Sequence, residues 1–303
     1  MVVPHSRYHV AGTVSLDENT CRQCGQCAGI CPANVLVVEN GRVCVRDDSP
    51  FGCIACGHCM TVCPEGSVTV TGRGLSPEDL VPLPDRQEVA TADSLAALML
   101  SRRSVRHFED REVAAELFER IVEMAASAPM GIPPWDVGCV VVRGRDKVKE
   151  LAGALIKGYE GFLKIFRPWL LAVMRPFMRK QTHAQFRDFI VPLARSYVDA
   201  HREGHDKLFW EAPAVMIFHH SPYAEAVDTA IACTYAMLAA ESLGLGTTII
   251  GGAPPILQRN KSLCDQLGIP KGHTPSFALI VGHPATHFRR GVRRHFVHVG
   301  DIH

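Results

Sequence analysis

The sequence lacks any run of about 18 uninterrupted apolar residues, so it offers no membrane-spanning helix. Its opening stretch, M-V-V-P-H-S-R, has neither an apolar run nor a small-residue cleavage site, and no signal peptide is expected. Net charge is also scarce. With 32 Lys and Arg against 31 Asp and Glu the chain carries +1, which removes the electrostatic argument for a nucleic-acid partner. No G-x-G-x-x-G opens a helix after a strand. The nearest string, G-L-G-T-T-I-I-G-G at 244–252, has the wrong spacing and leads into a strand, so a doubly wound dinucleotide fold is not expected.

What the chain has is cysteine, twelve in 303 residues. Without an export signal, that number points to a reducing, cytoplasmic setting and to metal ligation rather than disulfides. Eight of the twelve lie in two near copies, C-R-Q-C-G-Q-C-A-G-I-C-P from Cys21 and C-I-A-C-G-H-C-M-T-V-C-P from Cys53. Each reads C-x2-C-x2-C-x3-C-P. Thiolate sulfur is the soft ligand that iron–sulfur clusters need. The x2 spacings curl three thiolates around one cubane, and the fourth, before proline, ligates the other cluster. Cluster one therefore takes Cys21, Cys24, Cys27 and Cys63, and cluster two takes Cys53, Cys56, Cys59 and Cys31. Gly25 and Gly57 sit where each loop must bend tightly with its N–H groups toward the cluster. A structural zinc site is the competing reading, but zinc sites use isolated cysteine pairs across a spacer, not four thiols in a row. Segments 17–38 and 49–70 repeat at an offset of 32, as a duplicated fold would. Residues 14–72 resemble the bacterial two-cluster [4Fe-4S] ferredoxin domain. The remaining Cys44, Cys139, Cys233 and Cys264 show no ligand spacing and read as small buried apolar residues. His58, inside a cluster loop, reads as tuning its surroundings.

The style of the chain changes after residue 72. Three prolines among polar residues mark 73–93 as a linker between an N-terminal unit, 1–72, and a second, 94–303. Asp93-Ser94 reads as a helix N-cap, and that helix ends in S-R-R-S-V-R-H-F. Helix is expected over 111–127, then a strand at 137–143, helical segments through 145–204 and a strand at 214–219. An alanine-rich helix over 223–243 is apolar almost all round and reads as central and buried. Strands at 247–250 and 277–281, with a helix between them, complete a small sheet wrapped by helices. The fold class is α+β.

Three arginines and a serine at a helix end suit an anion, though a solvated basic turn would look the same. Three further strings decide between them: A-P-M-G-I-P-P-W at 128–135, A-A-E-S-L-G-L-G-T-T-I-I-G-G at 239–252 and A-L-I-V-G-H-P at 278–284. In that order, after S-R-R-S-V-R-H-F, they resemble the FMN-dependent nitroreductase family over about 94–303. Behind a two-cluster ferredoxin they resemble its ferredoxin-fused subgroup. The resemblance implies a mostly antiparallel sheet wrapped by helices, and an intertwined homodimer with FMN at its interface. It implies that Arg102, Arg103, Ser104 and Arg106 hold the phosphate, ribityl chain and pyrimidine edge. Pro129, Met130 and Gly131, from the other subunit, would line the flavin face. Gly251 and Gly252 would bring backbone N–H groups near N5 and the C4 carbonyl, with Arg290 and Arg294 on the phosphate. The M-G-I-P-P-W stretch is shorter and less polar than the family's usual Ser/Asn/Gln-containing segment. No catalytic acid is assigned, because the flavin performs the chemistry.

The implied function is electron transfer between two [4Fe-4S] clusters and FMN, with reduction of a nitroaromatic, a quinone or another conjugated acceptor. The donor is external, a soluble ferredoxin or NAD(P)H, and the flow could also run in reverse. Alternatives are a specialised flavin chemistry on this fold (dehalogenation, azoline oxidation, flavin breakdown) or an electron-relay subunit of a larger complex. The apolar, basic segment 162–180 reads as a lid or dimer-packing helix in preference to a membrane-surface helix, and hints at a hydrophobic substrate. His219 and His220, neighbours on a strand, point to opposite faces and cannot easily share a metal. The tail histidines His283, His287, His295, His298 and His303 show no tight ligand pattern.

Overall fold

The computed structural model describes residues 10–131 and 134–302. The M-V-V-P-H-S-R opening, Ile132-Pro133 of the A-P-M-G-I-P-P-W string, and His303 lie outside these.

The N-terminal unit is two antiparallel pairs with two short helices. Strand β1 (Thr13–Leu16) pairs with the later strand Val68–Thr71, and β2 (Leu36–Glu39) pairs with β3 (Arg42–Val45). Helix α1 (Gln26–Ile30) follows Gly25; α2 (His58–Val62) follows Gly57; β4 is Val68–Thr71. The 32-residue repeat in sequence is a repeat of backbone geometry. α1 and α2 are 32 positions apart, and so are β2 and β4. So are the left-handed residues Gln23 and Ala55, Gly25 and Gly57, Asn34 and Gly66, Asn40 and Gly72, Gly41 and Arg73. Left-handed backbone costs a non-glycine residue about 1–2 kcal/mol. Its recurrence at Gln23 (φ 61°) and Ala55 (φ 55°) marks a loop shape that both halves must adopt. The core here is small: Cys27, Leu36, Val43, Ala55, Cys59, Met60, Val68, Val70 and Leu75. Two of those nine are predicted cluster ligands.

After a short 3-10 turn at Pro77–Asp79, α3 runs Ala92–Ser101. Its N-cap is Thr91 rather than Asp93-Ser94. The Thr91 hydroxyl accepts from the Ser94 N–H at 3.2 Å, which puts Asp93 and Ser94 in the first turn. The S-R-R-S-V-R-H-F string leaves the helix at Ser101 and continues extended. Next come α4 (Ala115–Ala126), β5 (Val137–Arg143) and α5 (Arg145–Ile165). Pro168 opens α6 (Pro168–Met174), and after it come α7 (Lys180–Gln185), a π-turn at Phe186–Ile190 and α8 (Val191–Arg202). Then β6 (Ala214–His220), α9 (Ala226–Ser242), β7 (Gly246–Ile249), α10 (Ala253–Leu257), α11 (Lys261–Gln266) and β8 (Thr274–Gly282) complete the ordered elements.

The four strands form one antiparallel sheet in the order β5-β6-β8-β7. Alternation along β6 sends Val215 and Ile217 into a core with α5, α8 and α10, and Ala214, Met216 and Phe218 into a second core with α4 and α9. Both faces are covered, which is why A-V-M-I-F reads as an unbroken apolar run. Helix α9 departs from the sequence reading. Asp228, Ala232, Cys233, Ala236, Ala239 and Ala240 are buried, yet Val227 (55% exposed) and Tyr235 (38%) lie on an open face. The helix packs against α4 and the sheet on one side and is open on the other. Of the four leftover cysteines only Cys233 is fully buried. Cys44, on the solvated side of the β2–β3 hairpin, Cys139 and Cys264 are partly exposed.

Candidate functional site

The eight motif cysteines sort into two groups in space. One pocket is lined by Cys21, Cys24, Cys27 and Cys63 together, so the thiol before Pro64 crosses to the first run. Cys59 lies close enough to Cys53, Cys56 and Cys31 for their charges to couple. Gly25 (φ 72°) and Gly57 (φ 74°) make the bends, each in the left-handed region that glycine adopts without strain. Backbone N–H groups reach sulfur: Ala55 N–H donates to Cys53 Sγ and Ser67 N–H to Cys63 Sγ, both at 3.3 Å. Burial, and then the neighbouring thiolates, push the Cys59 thiol up to about 12, and burial also raises Cys27 and Cys53. At Cys63 burial acts the same way but is outweighed by N–H groups from Glu65, Ser67 and Val68, and the net shift is downward. Eight thiols brought together, Cys27 and Cys59 of them buried, would need positive charge among them once ionised, which the iron of the clusters would supply. Among the described residues no three Cys, His, Asp or Glu side chains converge as they would around a single ion. His58 is exposed at the first position of α2.

The second constellation is assembled from distant segments along the β7 edge of the sheet. Ser104 forms a parallel bridge with Thr247, the Val105 N–H donates to the Thr247 carbonyl at 2.9 Å, and the Thr248 hydroxyl donates to the Val105 carbonyl at 2.6 Å. Further on, Glu109 N–H donates to His283 O and Ala285 N–H to His107 O, so the string is also fixed to the chain after β8. Gly246 has no side chain because Val105 occupies that space; a Cβ there would lie 2.7 Å from a Val105 methyl. The segment carrying Arg102, Arg103, Ser104 and Arg106 is thus an added edge strand, held at both ends.

Two polar atoms are left over at this edge. Arg103 Nη2 and Thr247 Oγ1 are buried without a hydrogen-bond partner. Buried polar groups are nearly always satisfied, so such a pair calls for a ligand or solvent. Ser104, beside them, is exposed. The tail passes the same place: a Cβ on Gly291 would sit 3.0 Å from Arg103 Nη2, which brings the stretch between Arg290 and Arg294 to Arg103.

Arg106 lies farther along. Its guanidinium stacks 5.6 Å from the centre of the Trp210 ring and its charge acts on Tyr197, countering the upward push of burial on that phenol. Tyr197 and Tyr159 pack edge to face, and the Tyr159 hydroxyl donates to the Gly252 carbonyl at 2.6 Å. Gly252 has an internal reason to be glycine, since a Cβ would meet Tyr159, Leu208 and Tyr197 at 3.0–3.2 Å. Gly251 has none: a Cβ there would meet nothing within 4 Å. The space over its backbone is open, as approach by a flat ligand requires.

Pro129, Met130 and Gly131 are held elsewhere. The Gly131 N–H donates to Asp228 Oδ1 at 2.7 Å, and the other oxygen of that buried carboxylate takes the Glu225 N–H at 2.9 Å. The segment is therefore anchored to the start of α9. Sequence reading missed Asp228, Tyr159 and Tyr197, because each acts through a long-range contact that no local motif signals. It also left His219 without a partner. His219 is buried, 2.9 Å from His273 Nδ1 to Nδ1, and burial followed by the His273 charge holds it down to about 4.

Among the described residues no helix is long and apolar enough to cross a membrane. Compared with known proteins, residues 99–283, more than half of the chain, match the model of the nitroreductase family, and 20–68 match a 4Fe-4S dicluster domain. Two relatives from Bacillus subtilis (strain 168) are an FMN reductase [NAD(P)H], 30% identical over 190 residues, and an FMN reductase (NADPH), 28% identical over 189. Each alignment covers 62% of this chain and 64% of the relative, so the chain spans under two thirds of the length of the curated relatives it matches. In fold, the chain is similar to a nitroreductase with bound FMN from Desulfitobacterium hafniense DCB-2, with a TM-score of 0.51 and 20% identity over 69% of this chain and 97% of that one.

Proposed function

Since the chain belongs to the nitroreductase family and carries a 4Fe-4S dicluster domain at its N-terminal end, we propose that it is an FMN-dependent oxidoreductase wired to two [4Fe-4S] clusters. Its acceptor is a small conjugated organic molecule, a nitroaromatic or a quinone. The observation that carries this reading is the β7 edge. Arg103 Nη2 and Thr247 Oγ1, buried and unpartnered beside the exposed Ser104, fit the polar chain and phosphate of FMN. The gap over Gly251 fits its ring. Bound there, FMN supplies the ability to gather single electrons and deliver a pair.

The chain's own residues have defined tasks in this reading. Arg102, Arg103 and Ser104, with Arg290 and Arg294 from the tail, bind the phosphate end. Arg106 places a positive charge toward the ring, where it favours the anionic reduced flavin. Tyr159 fixes the Gly252 carbonyl and so the orientation of the Gly251–Gly252 peptide. Cys21, Cys24, Cys27 and Cys63 hold one cluster, and Cys53, Cys56, Cys59 and Cys31 the other. A short path links the second cluster loop to the flavin unit. Leu75 lies against Gly57, where a Cβ would be 3.3 Å from its methyl, and a Cβ on the adjoining Gly74 would be 3.9 Å from the Trp135 indole.

The working unit is a homodimer. The open face of α9 with Val227 and Tyr235, and a tail whose Phe288, Val292, Phe296, Val297 and Val299 are all more than half exposed, support an apolar partner surface of that extent. Electrons arrive from a reduced soluble ferredoxin or from NAD(P)H; the names of the two relatives favour the nicotinamide, and the fused dicluster domain favours ferredoxin. Twelve cysteines favour a reducing setting, the cytoplasm.

The test is the cofactor content of anaerobically purified protein, followed by acceptor turnover with reduced ferredoxin and with NADPH. About eight irons, eight acid-labile sulfides and one FMN per chain, with turnover of a nitroaromatic or quinone, are expected. Eight irons without FMN would overturn the reading and leave an electron-relay subunit.

A further inference from the structure

A cavity of about 920 Å³ lies among the helices between residues 166 and 199, lined by none of the residues of the two constellations. Phe166, Leu171, Met178 and Val191 give it apolar walls. His183 closes one side, its Nε2 3.1 Å from the Leu171 carbonyl, which ties α7 to α6. Helix α8 divides this cavity from the flavin edge. Tyr197 faces Gly252 on one side, while Arg195, Ser196 and Asp199 line the cavity on the other.

The cavity is distinctive in its charge. Arg175, Lys180, Arg187 and Arg195 stand around it against a single lining acid, Asp199. Arg187 is engaged by Asp188, but among the described residues Arg175, Lys180 and Arg195 form no ion pair. The imbalance belongs to the region. Residues 164–202 hold eight Lys and Arg and two Asp, in a chain whose net charge is +1. Concave apolar walls with a few convergent charges are the features of a small-molecule site, and the volume is that of a drug-sized ligand. Flat contact with a membrane would use the outward-facing Trp169 and Phe177 and leave the cavity unused.

We propose that this cavity binds an amphiphilic organic anion, an apolar body of about a dozen carbons ending in a carboxylate or sulfonate. The apolar body lies against Leu171, Met178 and Val191, and the anionic end meets Arg195 and Lys180 at the rim. The site is independent of the FMN assignment, so its test does not use turnover.

Dodecanoate, dodecanol and dodecylammonium, each below its micellar concentration, are titrated calorimetrically into the cofactor-loaded full-length protein. Anionic phospholipid vesicles form a fourth arm. Dodecanoate is expected to bind with about one site per chain, and at least about tenfold more tightly than the alcohol or the amine. The double variant Arg195→Glu/Lys180→Glu should lose about tenfold in dodecanoate affinity. Ala172→Trp, which fills the cavity without changing its charge, should abolish binding. Both variants are checked for unchanged melting temperature and flavin content; if the charge variant does not fold, Ala172→Trp and the headgroup comparison decide. Equal affinity for dodecanol, no binding of dodecanoate, or no change in Ala172→Trp would overturn the proposal. Binding to vesicles alone would replace it with a membrane surface.

Discussion

The predicted ligands of the N-terminal unit lie between Cys21 and Cys63, and Cys27 and Cys59 belong to the core that holds the unit together. The candidate ligand contacts of the C-terminal unit lie between Arg102 and Arg294, and none is among the buried residues of its two large cores, though Met130 packs against one. In the first unit, then, site and fold are one object. Nine buried side chains are a thin core, and small domains of this kind gain folding energy from their metal. In the second unit the cores close without the ligand, and the site is an edge feature on a scaffold that stands alone.

The most direct way to break this comparison is Cys59→Ser. The expected result is loss of cluster two, about four of eight irons, together with loss of protection in the N-terminal unit on hydrogen exchange. Flavin content and the melting of the C-terminal unit should stay as in the parent. Collapse of FMN content along with the iron would show that the two units do not fold separately.

Arg103→Ala asks the converse. Charge-assisted hydrogen bonds contribute about 1.5–3 kcal/mol each, so FMN affinity should fall roughly tenfold to a hundredfold. The melting temperature of the flavin-free protein should hardly move, since Arg103 Nη2 has no partner to lose. A large drop in flavin-free stability would mean that Arg103 is structural, and the difference between the two units would shrink.

The contrast also explains what could be read from the sequence. The grouping of the eight cysteines was legible because their spacing is local and the repeat is printed twice; even the tight bends at Gly25 and Gly57 follow from it. The strand Val137–Arg143 and the twofold-covered β6 were legible from apolar pattern alone. The β7 edge was not. That Ser104 lies beside Thr247, or that Asp228 holds Gly131, depends on contacts between residues about a hundred or more positions apart, and neither composition nor period encodes them. The arginines suited an anion by themselves, but only resemblance to a family tied them and the glycines to a flavin, and it could not supply Tyr159, Tyr197 or the orphaned Thr247 hydroxyl. The open face of α9 was misread for a related reason: an alanine-rich helix looks apolar all round, and only its packing shows that Val227 and Tyr235 lie outside the core.

His219 sharpens the comparison through pH. It is buried and held down to about 4, against about 6.5 in an unfolded chain. The unfolded state therefore binds the proton more readily, and stability is lost as pH falls from about 6.5 toward 4, by up to about 3 kcal/mol. The C-terminal melting temperature should decline across that window, and His219→Asn should flatten the decline while iron content is unaffected. An unchanged slope in His219→Asn would assign the acid sensitivity to other groups.

The smallest expected effect comes from Thr248→Val. Its hydroxyl donates to the Val105 carbonyl at 2.6 Å, across 143 residues of sequence, in a fully buried position. Valine has nearly the same shape, so packing is kept and one hydrogen bond is lost, at a cost of about 1–2 kcal/mol because the carbonyl is left unsatisfied. If the arginine string is an edge strand fixed by such contacts, part of that loss should appear in the site. FMN affinity should weaken severalfold even though Thr248 donates inward to the backbone, and the iron content should not change. Weakened stability with unchanged FMN affinity would mean that the bridge from Ser104 to Thr247 and the anchors at His107 and Glu109 position the string without help from Thr248. The site would still depend on long-range contacts, but on backbone pairing rather than on this side chain, and Thr248 would belong to the fold alone.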